Sequence, residues 1–593
     1  MIQNQKDKEY LYKLRHSAEH ILAQAVTELF PENVMLAIAH ISDDGFSNDS
    51  KWSVKVNDED FAKIENKMRE IIKKDLPIIR KEVTKEEAAE LFKANPFKLE
   101  WLEQFAAEDK VITIYQTGDS YVDLCKGPHV ESTGEVKAIK LLSIGGAYWR
   151  GDEKNEMLVR ISGTAFSSQE ELDTYLERLE ESKKRDHRKI GKDLDLFIFS
   201  DVVGKGLPIW TPKGSTIRRE LERFIVDEEL RRGYLHVYTP DIAKIELYQK
   251  SGHYPYYKES MYAPIEIDDE KFMLRPMTCP HHFEYYLSQP RSYKELPMRI
   301  AELAKLYRYE KSGELSGLMR VRSFCLADAH IVAKKEQVEA EIIAVLELIK
   351  YVAAIMGLKE GENYRYRLSL GDRSDDKKYY KDDASWDHAE AVLRKVLIER
   401  NAQFYEAPGE AAFYGPKIDV QMDNVLGKED TAFTVQYDFV MPKRFALRFI
   451  NEEGKEEEPI VIHRSSIGAI ERVVGFLIER FAGAFPVWLS PEQVRIIPIG
   501  LDQAEYAQKV KEQLNSSIPG IRLSIDASNN TLNKKILDAQ NEKIPYMIIV
   551  GKQEVEKNLL SVRLRTGENI KDMSVADFLV RLKGKITQKS LDL

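Results

Sequence analysis

The chain has 593 residues, 43% of them hydrophobic and 31% charged, and a formal net charge of −10. The length predicts several domains and the composition an ordinary globular protein, while the negative balance argues against bulk electrostatic attraction to nucleic acid and leaves only local basic patches. Its three cysteines are too few for a disulfide framework, and the opening MIQNQKDKEYLYKLRH lacks an apolar signal core, so a cytoplasmic protein without membrane attachment is expected.

Residues 1–180 read as a first domain. It opens on YLYKLRHSAEHILAQAVTELF, whose apolar residues recur at helical spacing, and a second helix is predicted over 59–75. His16 and His20, four residues apart, share a helix face. Cys125 and His129 lie in DLCKGPH, where Gly127 and Pro128 predict a turn. Three histidines and a cysteine leave two readings open, a Zn²⁺ site or a site that positions water for ester hydrolysis. A long charged helix is predicted over 171–189, with a connector running to about 193. Within it KKRDHRKIGK (183–192) is either a solvated face or a local basic patch.

Residues 194–488 form the central block. VRSFCLADAHIVA, KIDVQM, FTVQYDFVM, RFALRFI and PIVIHRS read as strands among helices such as TIRRELERFIVDEELRRG. Without regular βαβ spacing they predict an antiparallel sheet. IIAVLELIKYVAAIMGL (342–358) is broken by Glu347 and Lys350 and reads as a buried helix. No G-x-G-x-x-G or G-x-x-x-x-G-K-[ST] occurs, so neither a Rossmann nor a P-loop site is indicated. Cys279 in RPMTCPHHF, His330 and His463 offer one soft ligand and two imidazoles, a set that suits Zn²⁺ with a fourth position open to substrate. Arg308, Arg320 and Arg322 suit the charge that builds on phosphate oxygens. Glu310 suits an adenine amino group, and Phe324 offers a flat stacking face. The segment 308–324 predicts two antiparallel strands joined by a polar loop, with Arg308 and Glu310 on one strand face and Arg320, Arg322 and Phe324 on a shared face of the other.

Residues 489–593 alternate VRIIPIG, a helix (503–515), IRLSID, a helix (531–542) and YMIIVG. That order predicts a small α/β domain with a mostly parallel sheet.

RYEKSGELSGLMRVRSF (308–324) resembles motif 2 of the class II aminoacyl-tRNA synthetases, GAIERVVG (468–475) resembles motif 3, and RRGYLHVYTP (231–240), with Pro240, resembles the motif 1 that forms dimer interfaces in that class. Together with Cys279, His330 and His463, the segments AFYGPKID, TVQYDF, AGAFPVWLSP and IPYMIIVG resemble the threonyl-tRNA synthetases of that class along essentially the whole chain. HSAEH, YVDLCKGPHV and GAYWRGDEKNEMLVRISGTAF resemble the editing domain of bacterial members.

The resemblance implies a multidomain α+β and α/β chain: an α+β editing domain, an antiparallel class II catalytic core and an α/β anticodon-binding domain. It implies ATP-dependent ligation of L-threonine to tRNA(Thr) through a threonyl-adenylate, hydrolysis of mischarged seryl-tRNA(Thr), a homodimer, one Zn²⁺ per subunit and Mg²⁺ with ATP. Arg308 would hold the α-phosphate and the amino-acid carboxylate, Arg320 and Arg472 the γ-phosphate, and Phe324 and Glu310 the adenine. Asp328, Tyr414 and Gln436 match threonine contacts, Lys417 a basic residue lining the site, and His253 a histidine used in transfer to tRNA. His16, His20, Cys125 and His129 would line a metal-free deacylation site with Asp123 beside them. Asn529, Lys543, Glu554 and Arg563 match anticodon contacts.

The chain departs from the family pattern in four places. The N-terminal ubiquitin-like domain common in bacterial relatives is expected to be absent. Leu326 and Thr431 stand where glutamines are usual, and Leu537 replaces an arginine of the anticodon region, near Lys543, which stands for another. A ligase for serine or proline fits less well, because the editing segments and all three zinc positions are present. A catalytically silent RNA-binding relative fits less well, because Arg308, Arg472 and the zinc positions are all retained.

Overall fold

The computed structural model describes residues 5–593 and divides into two compact units, Met1–Glu180 and Glu181–Leu593. In the first, the helix Gln5–Leu29 buries Leu14, Ala18, Ile21, Leu22, Ala25 and Val26 along one stripe, the spacing a helix needs to face a single core. That stripe meets Ile64, Met68 and Ile71 of the helix Phe61–Lys73, together with Phe46, Leu141 and Ile161 from a four-stranded antiparallel sheet. The sheet is ordered Val34–Ser42, Gly45–Trp52, Met157–Phe166, Ala138–Tyr148. A smaller antiparallel sheet, Ile78–Glu82, Thr113–Thr117 and Tyr121–Leu124, carries Asp123 and ends just before Cys125.

The second unit is built on an eight-stranded sheet. Its order is Leu235–His236, Met298–Tyr307, Ser323–Ala333, Ile460–Ala469, Glu429–Asp438, Lys417–Asp423, Tyr364–Leu370 and Phe404–Pro408. All neighbours are antiparallel except the two edge pairs. Alternation separates its faces. Cys325, Ala327, Ala329 and Ile331 enter the large core, with Val345 and Ile349 of the helix Val338–Ile355. Phe324, Leu326, Asp328 and His330 therefore point the other way.

A five-stranded sheet follows, ordered Leu523–Ile525, Val494–Pro498, Tyr546–Val550, Leu560–Leu564 and Asn569–Met573. The first three strands are parallel, as expected. The last two add an antiparallel hairpin that turns at Gly567 (φ 98°).

Three local expectations need correction. RFALRFI is not a strand of the large sheet: the helix Met441–Phe445 stops at left-handed Ala446 (φ 54°), and Phe449–Ile450 pairs with Glu456–Glu457 and, through a bridge at Ile450, with Ser292. The charged helix ends at Arg185, and Asp186 caps a new one, His187–Asp193, by accepting from the Arg188 N–H at 2.8 Å. Arg308, Glu310, Arg320 and Arg322 lie in the loop between Tyr307 and Ser323, because the flanking strands stop at those residues.

Candidate active site and metal centre

One rung of the large sheet carries most of the candidate residues. His330 is the direct partner of His463, His463 of Gln436, and Gln436 of Lys417, so four side chains from four strands share a face. The neighbouring rung adds Asp328 opposite Ser465. Cys279 reaches the same place from the N-terminus of the helix Cys279–Leu287. Ligand atoms of Cys279, His330 and His463 all lie within 4.8 Å of one another, and all three residues are buried.

Hydrogen-bond partners fix which ring nitrogens are bare. Arg275 pairs with Glu302 at 2.9 Å, and His282 Nε2 lies 3.3 Å from Glu302 Oε2. Hydrogen bonds from His282 and Thr239, with the charge of Arg275, hold Glu302 down at about 2 against the opposing effect of burial, so its carboxylate accepts from His282 Nε2–H. His282 Nδ1 is then the acceptor for His330 Nδ1–H at 2.8 Å, which leaves His330 Nε2 bare. Asp438 accepts from His463 Nε2 at 2.7 Å, which leaves His463 Nδ1 bare. Two bare imidazole nitrogens, each oriented by a buried partner, and a thiol fit Zn²⁺. Burial raises the Cys279 thiol and lowers His330, so the pocket strongly favours their neutral forms until a cation enters.

Around this centre, Tyr414 stacks on the His463 ring at 5.0 Å and donates to Gln436 Oε1 at 2.5 Å. Gly415 lets the chain pass there, since a Cβ would sit 1.7 Å from the Tyr437 carbonyl oxygen. Lys417 pairs with buried Asp419 at 2.9 Å. His253 is 2% exposed and donates Nδ1–H to Ser251 Oγ at 2.7 Å, because that hydroxyl already donates to the Tyr248 carbonyl. Burial lowers His253 to about 3, so it is neutral with a bare Nε2.

The Arg308 guanidinium lies 5.3 Å from the centre of the Phe324 ring, and Arg320 lies 3.7 Å from Glu310. Arg472 opens the helix Ile470–Phe481 and donates to the Met319 carbonyl at 3.1 Å. Burial lowers Arg472, and the charges of Arg320 and Arg308 lower it further, so the three cations converge on one place. Leu326 sits on the same strand face as Asp328. The Thr431 hydroxyl accepts from Gln421 at 2.8 Å.

The first unit holds a second cluster. His16, His20, Cys125 and His129 bring their ligand atoms within 4.8 Å of one another. Cys125 Sγ lies 3.2 Å from His16 Nε2 and 3.3 Å from His129 Nε2. His16 Nδ1 donates to the Pro128 carbonyl at 3.1 Å. Ser17 Oγ donates to Lys13 O and accepts from Val130 N–H, so it accepts from His129 Nδ1–H as well. Both Nε2 atoms are therefore bare. Burial lowers His16 to about 4 and raises Cys125 to about 12. Asp123 pairs with Lys98 at 2.6 Å, both of them buried, and accepts from Tyr121 at 3.0 Å. The sequence pattern pointed to neither Lys98 nor the Glu19–Asn48 hydrogen bond of 2.6 Å. It also passed over His282 and Asp438. HSAEH, the doubled histidine of TCPHH and the segment TVQYDF contain Glu19, His282 and Asp438 without marking their roles.

The four residues matched to anticodon contacts are spread over the small sheet's surroundings. Asn529 and Lys543 are exposed in loops, Arg563 lies on a strand and donates to Asn569 at 3.1 Å, and Glu554 accepts from Gly551 N–H and Ser561 Oγ. Leu537 is 50% exposed on the helix Leu532–Asn541.

An antiparallel sheet flanked by helices, with an arginine-rich loop facing a helix-borne arginine, defines a class II aminoacyl-tRNA synthetase. Residues 262–481 match the family described as tRNA synthetase class II core domain (G, H, P, S and T). Residues 493–585 match the anticodon binding domain, and 112–162 the threonyl and alanyl tRNA synthetase second additional domain. The chain is 48% identical to the threonine–tRNA ligase of Geobacillus sp. (strain WCH70), over 97% of its own length and 88% of that protein. It is 46% identical to that of Streptococcus thermophilus (strain LMD-9) over the same shares. The RNA binding domain of Cryptosporidium parvum threonyl-tRNA synthetase aligns with a TM-score of 0.63 at 32% identity, covering 67% of this chain and 98% of that one. The chain belongs to the threonine–tRNA ligase family. It charges tRNA with threonine at the expense of ATP and edits its products.

Proposed function

We propose that the rung His330–His463–Gln436–Lys417 is the floor of the threonine pocket, and that Cys279, His330 and His463 hold one Zn²⁺ per subunit. The observation that carries this is the pair of bare imidazole nitrogens beside the Cys279 thiol. A Zn²⁺ held there would supply Lewis-acid coordination to the amino and hydroxyl groups of threonine. Valine lacks the hydroxyl and would be rejected by about 10⁴-fold or more. Asp328, Tyr414 and Gln436 orient the amino acid. Arg308 holds its carboxylate against the α-phosphate, Arg320 and Arg472 hold the γ-phosphate of Mg²⁺-bound ATP, and Phe324 and Glu310 hold the adenine. Lys417 lines the pocket. His253, neutral with a bare Nε2, takes the proton from the attacking ribose hydroxyl of tRNA(Thr).

Serine lacks only a methyl group, a difference of about 1–3 kcal/mol, so the pocket alone passes it too often. The bare Nε2 atoms of His16 and His129, with His20, Cys125 and Asp123, serve to hold the water that cleaves seryl-tRNA(Thr).

The three-part division 1–180, 194–488 and 489–593 assigns these sites to editing, catalytic and anticodon-binding domains, with Asn529, Lys543, Glu554 and Arg563 facing the anticodon. In the motif 1 segment Tyr238 is 92% exposed and Leu235 49%, which supports a homodimer that covers them. Among the described residues no helix is long and apolar enough to cross a membrane; the free thiols of Cys125, Cys279 and Cys325 are what support a cytoplasmic location.

ATP–pyrophosphate exchange on zinc-replete protein tests the pocket, with threonine, serine and valine as substrates. Exchange with threonine, weaker exchange with serine and none with valine are expected, and Cys279→Ala should lose exchange with both threonine and serine. Equal exchange with valine would overturn the zinc assignment.

A further inference from the structure

We infer that His187 is a positioning residue for ATP, a latch by which the connector sets the arginine-bearing loop of motif 2 against the motif 3 helix. Its imidazole is buried, 3% exposed, and both nitrogens are used. Nε2 lies 3.0 Å from the Leu318 backbone N–H, and Nδ1 lies 2.6 Å from Glu479 Oε1. A backbone N–H can only donate, so Nε2 accepts and the ring proton sits on Nδ1, donated to Glu479. Glu479 stands on the same helix as Arg472, two turns further on. The next residue of the loop is held by Arg472 itself, through the Met319 carbonyl at 3.1 Å. Leu318 and Met319 are thus fixed from two sides, immediately before Arg320.

Two glycines leave room for this seat. Gly317 has φ +49°, and a Cβ there would lie 2.1 Å from His187 Nε2. A Cβ on Gly475 of the motif 3 helix would press on Met319 Sδ at 3.2 Å and Leu318 Cβ at 3.3 Å. No smaller residue exists for either position, and His187 is the group that turns the vacated space into a directed contact. The inference rests on the reading that Arg320 and Arg472 hold the phosphates of ATP.

The test is steady-state ATP–pyrophosphate exchange by the full chain, with ATP and threonine titrated separately. His187→Asn keeps an N–H for Glu479 and loses the acceptor for Leu318. It is expected to raise the KM for ATP on the order of tenfold, the usual effect of an unpaired buried donor, with the KM for threonine within about twofold. His187→Gln, whose amide oxygen reaches the Nε2 position, is expected to recover most of that loss. Should these variants fail to fold, Gly317→Ala, which pushes on the imidazole, is expected to give the same split. A wild-type KM for ATP in His187→Asn, or in Gly317→Ala where that variant is used, would overturn the latch. An equal rise of both KM values in His187→Asn and His187→Gln would do the same. Arg320→Ala separates the two readings. If it leaves the KM for ATP unchanged, the phosphate assignment is wrong and the latch falls with it. If it raises that KM while His187→Asn does not, only the latch is wrong.

Discussion

His282 and His330 meet Nδ1 to Nδ1 at 2.8 Å, and Glu302 behind His282 decides which of them carries the proton. Removing His282 frees the His330 ring to turn and to swap tautomers. His282→Ala is therefore expected to weaken zinc binding about 10–100-fold. A chelator competition read by metal analysis checks this, and threonine-dependent exchange should fall in step as zinc is withdrawn. Unchanged zinc affinity would mean that Cys279 and His463 hold the ion without help from this relay.

Leu326 shares its strand face with Asp328. Leu326→Gln offers one more hydrogen bond to the threonine pocket. The KM for threonine is expected to drop about 2–10-fold, with the KM for ATP unchanged. A rise in the KM for threonine would show that this pocket has been repacked around the leucine.

Lys98 and Asp123 form a buried ion pair at 2.6 Å beside the cysteine–histidine cluster. Lys98→Met strands the carboxylate, at a cost of about 3–5 kcal/mol. Early melting of the first unit and loss of seryl-tRNA deacylation are expected, while ATP–pyrophosphate exchange stays intact. The double variant Lys98→Met/Asp123→Leu should regain the melting temperature but not the deacylation. If deacylation survives in the double variant, Asp123 has no part in editing.

Glu19 is fully buried, and burial raises it to about 8 in spite of its hydrogen bond from Asn48. The folded chain therefore keeps a proton that the unfolded chain, titrating near 4.5, gives up. No penalty exists below about pH 4.5. Stability falls as pH rises from there to about 8, by roughly 3–5 kcal/mol in all. Glu19→Gln removes the titration. Melting of the first unit should then lose this slope, and the variant should be the more stable at pH 8. Identical pH profiles for the two proteins would show that Glu19 ionises in place.

Much of the active site was legible because its chemistry lies in short, contiguous segments. RYEKSGELSGLMRVRSF, GAIERVVG and AFYGPKID name their residues directly. Alternation failed for Arg308, Glu310, Arg320 and Arg322, because the strands stop at Tyr307 and restart at Ser323 and the intervening chain follows the loop instead. It failed again at RFALRFI, where a left-handed Ala446 ends a helical turn within an apolar run that scans as β. The hairpin that begins at Leu560 is announced only by RTGEN at its turn, and it adds antiparallel strands to the parallel ones that the βαβ rhythm before it predicts.

The sequence by itself determined the candidate donors Cys279, His330 and His463, the candidate quartet His16, His20, Cys125 and His129, and the family, since residue types and their order along the chain carry that information. Only the tertiary structure decided which atoms are free to act. The bare nitrogens of His330 and His463 depend on Glu302 and Asp438, the electrostatics of the cysteine–histidine cluster of the first unit on Lys98, and the seat of the motif 2 loop on His187. Each of these partners is far away along the chain. It is brought within hydrogen-bond reach by strand register or helix packing, and both are settled by burial of the whole core rather than by any local run of residues.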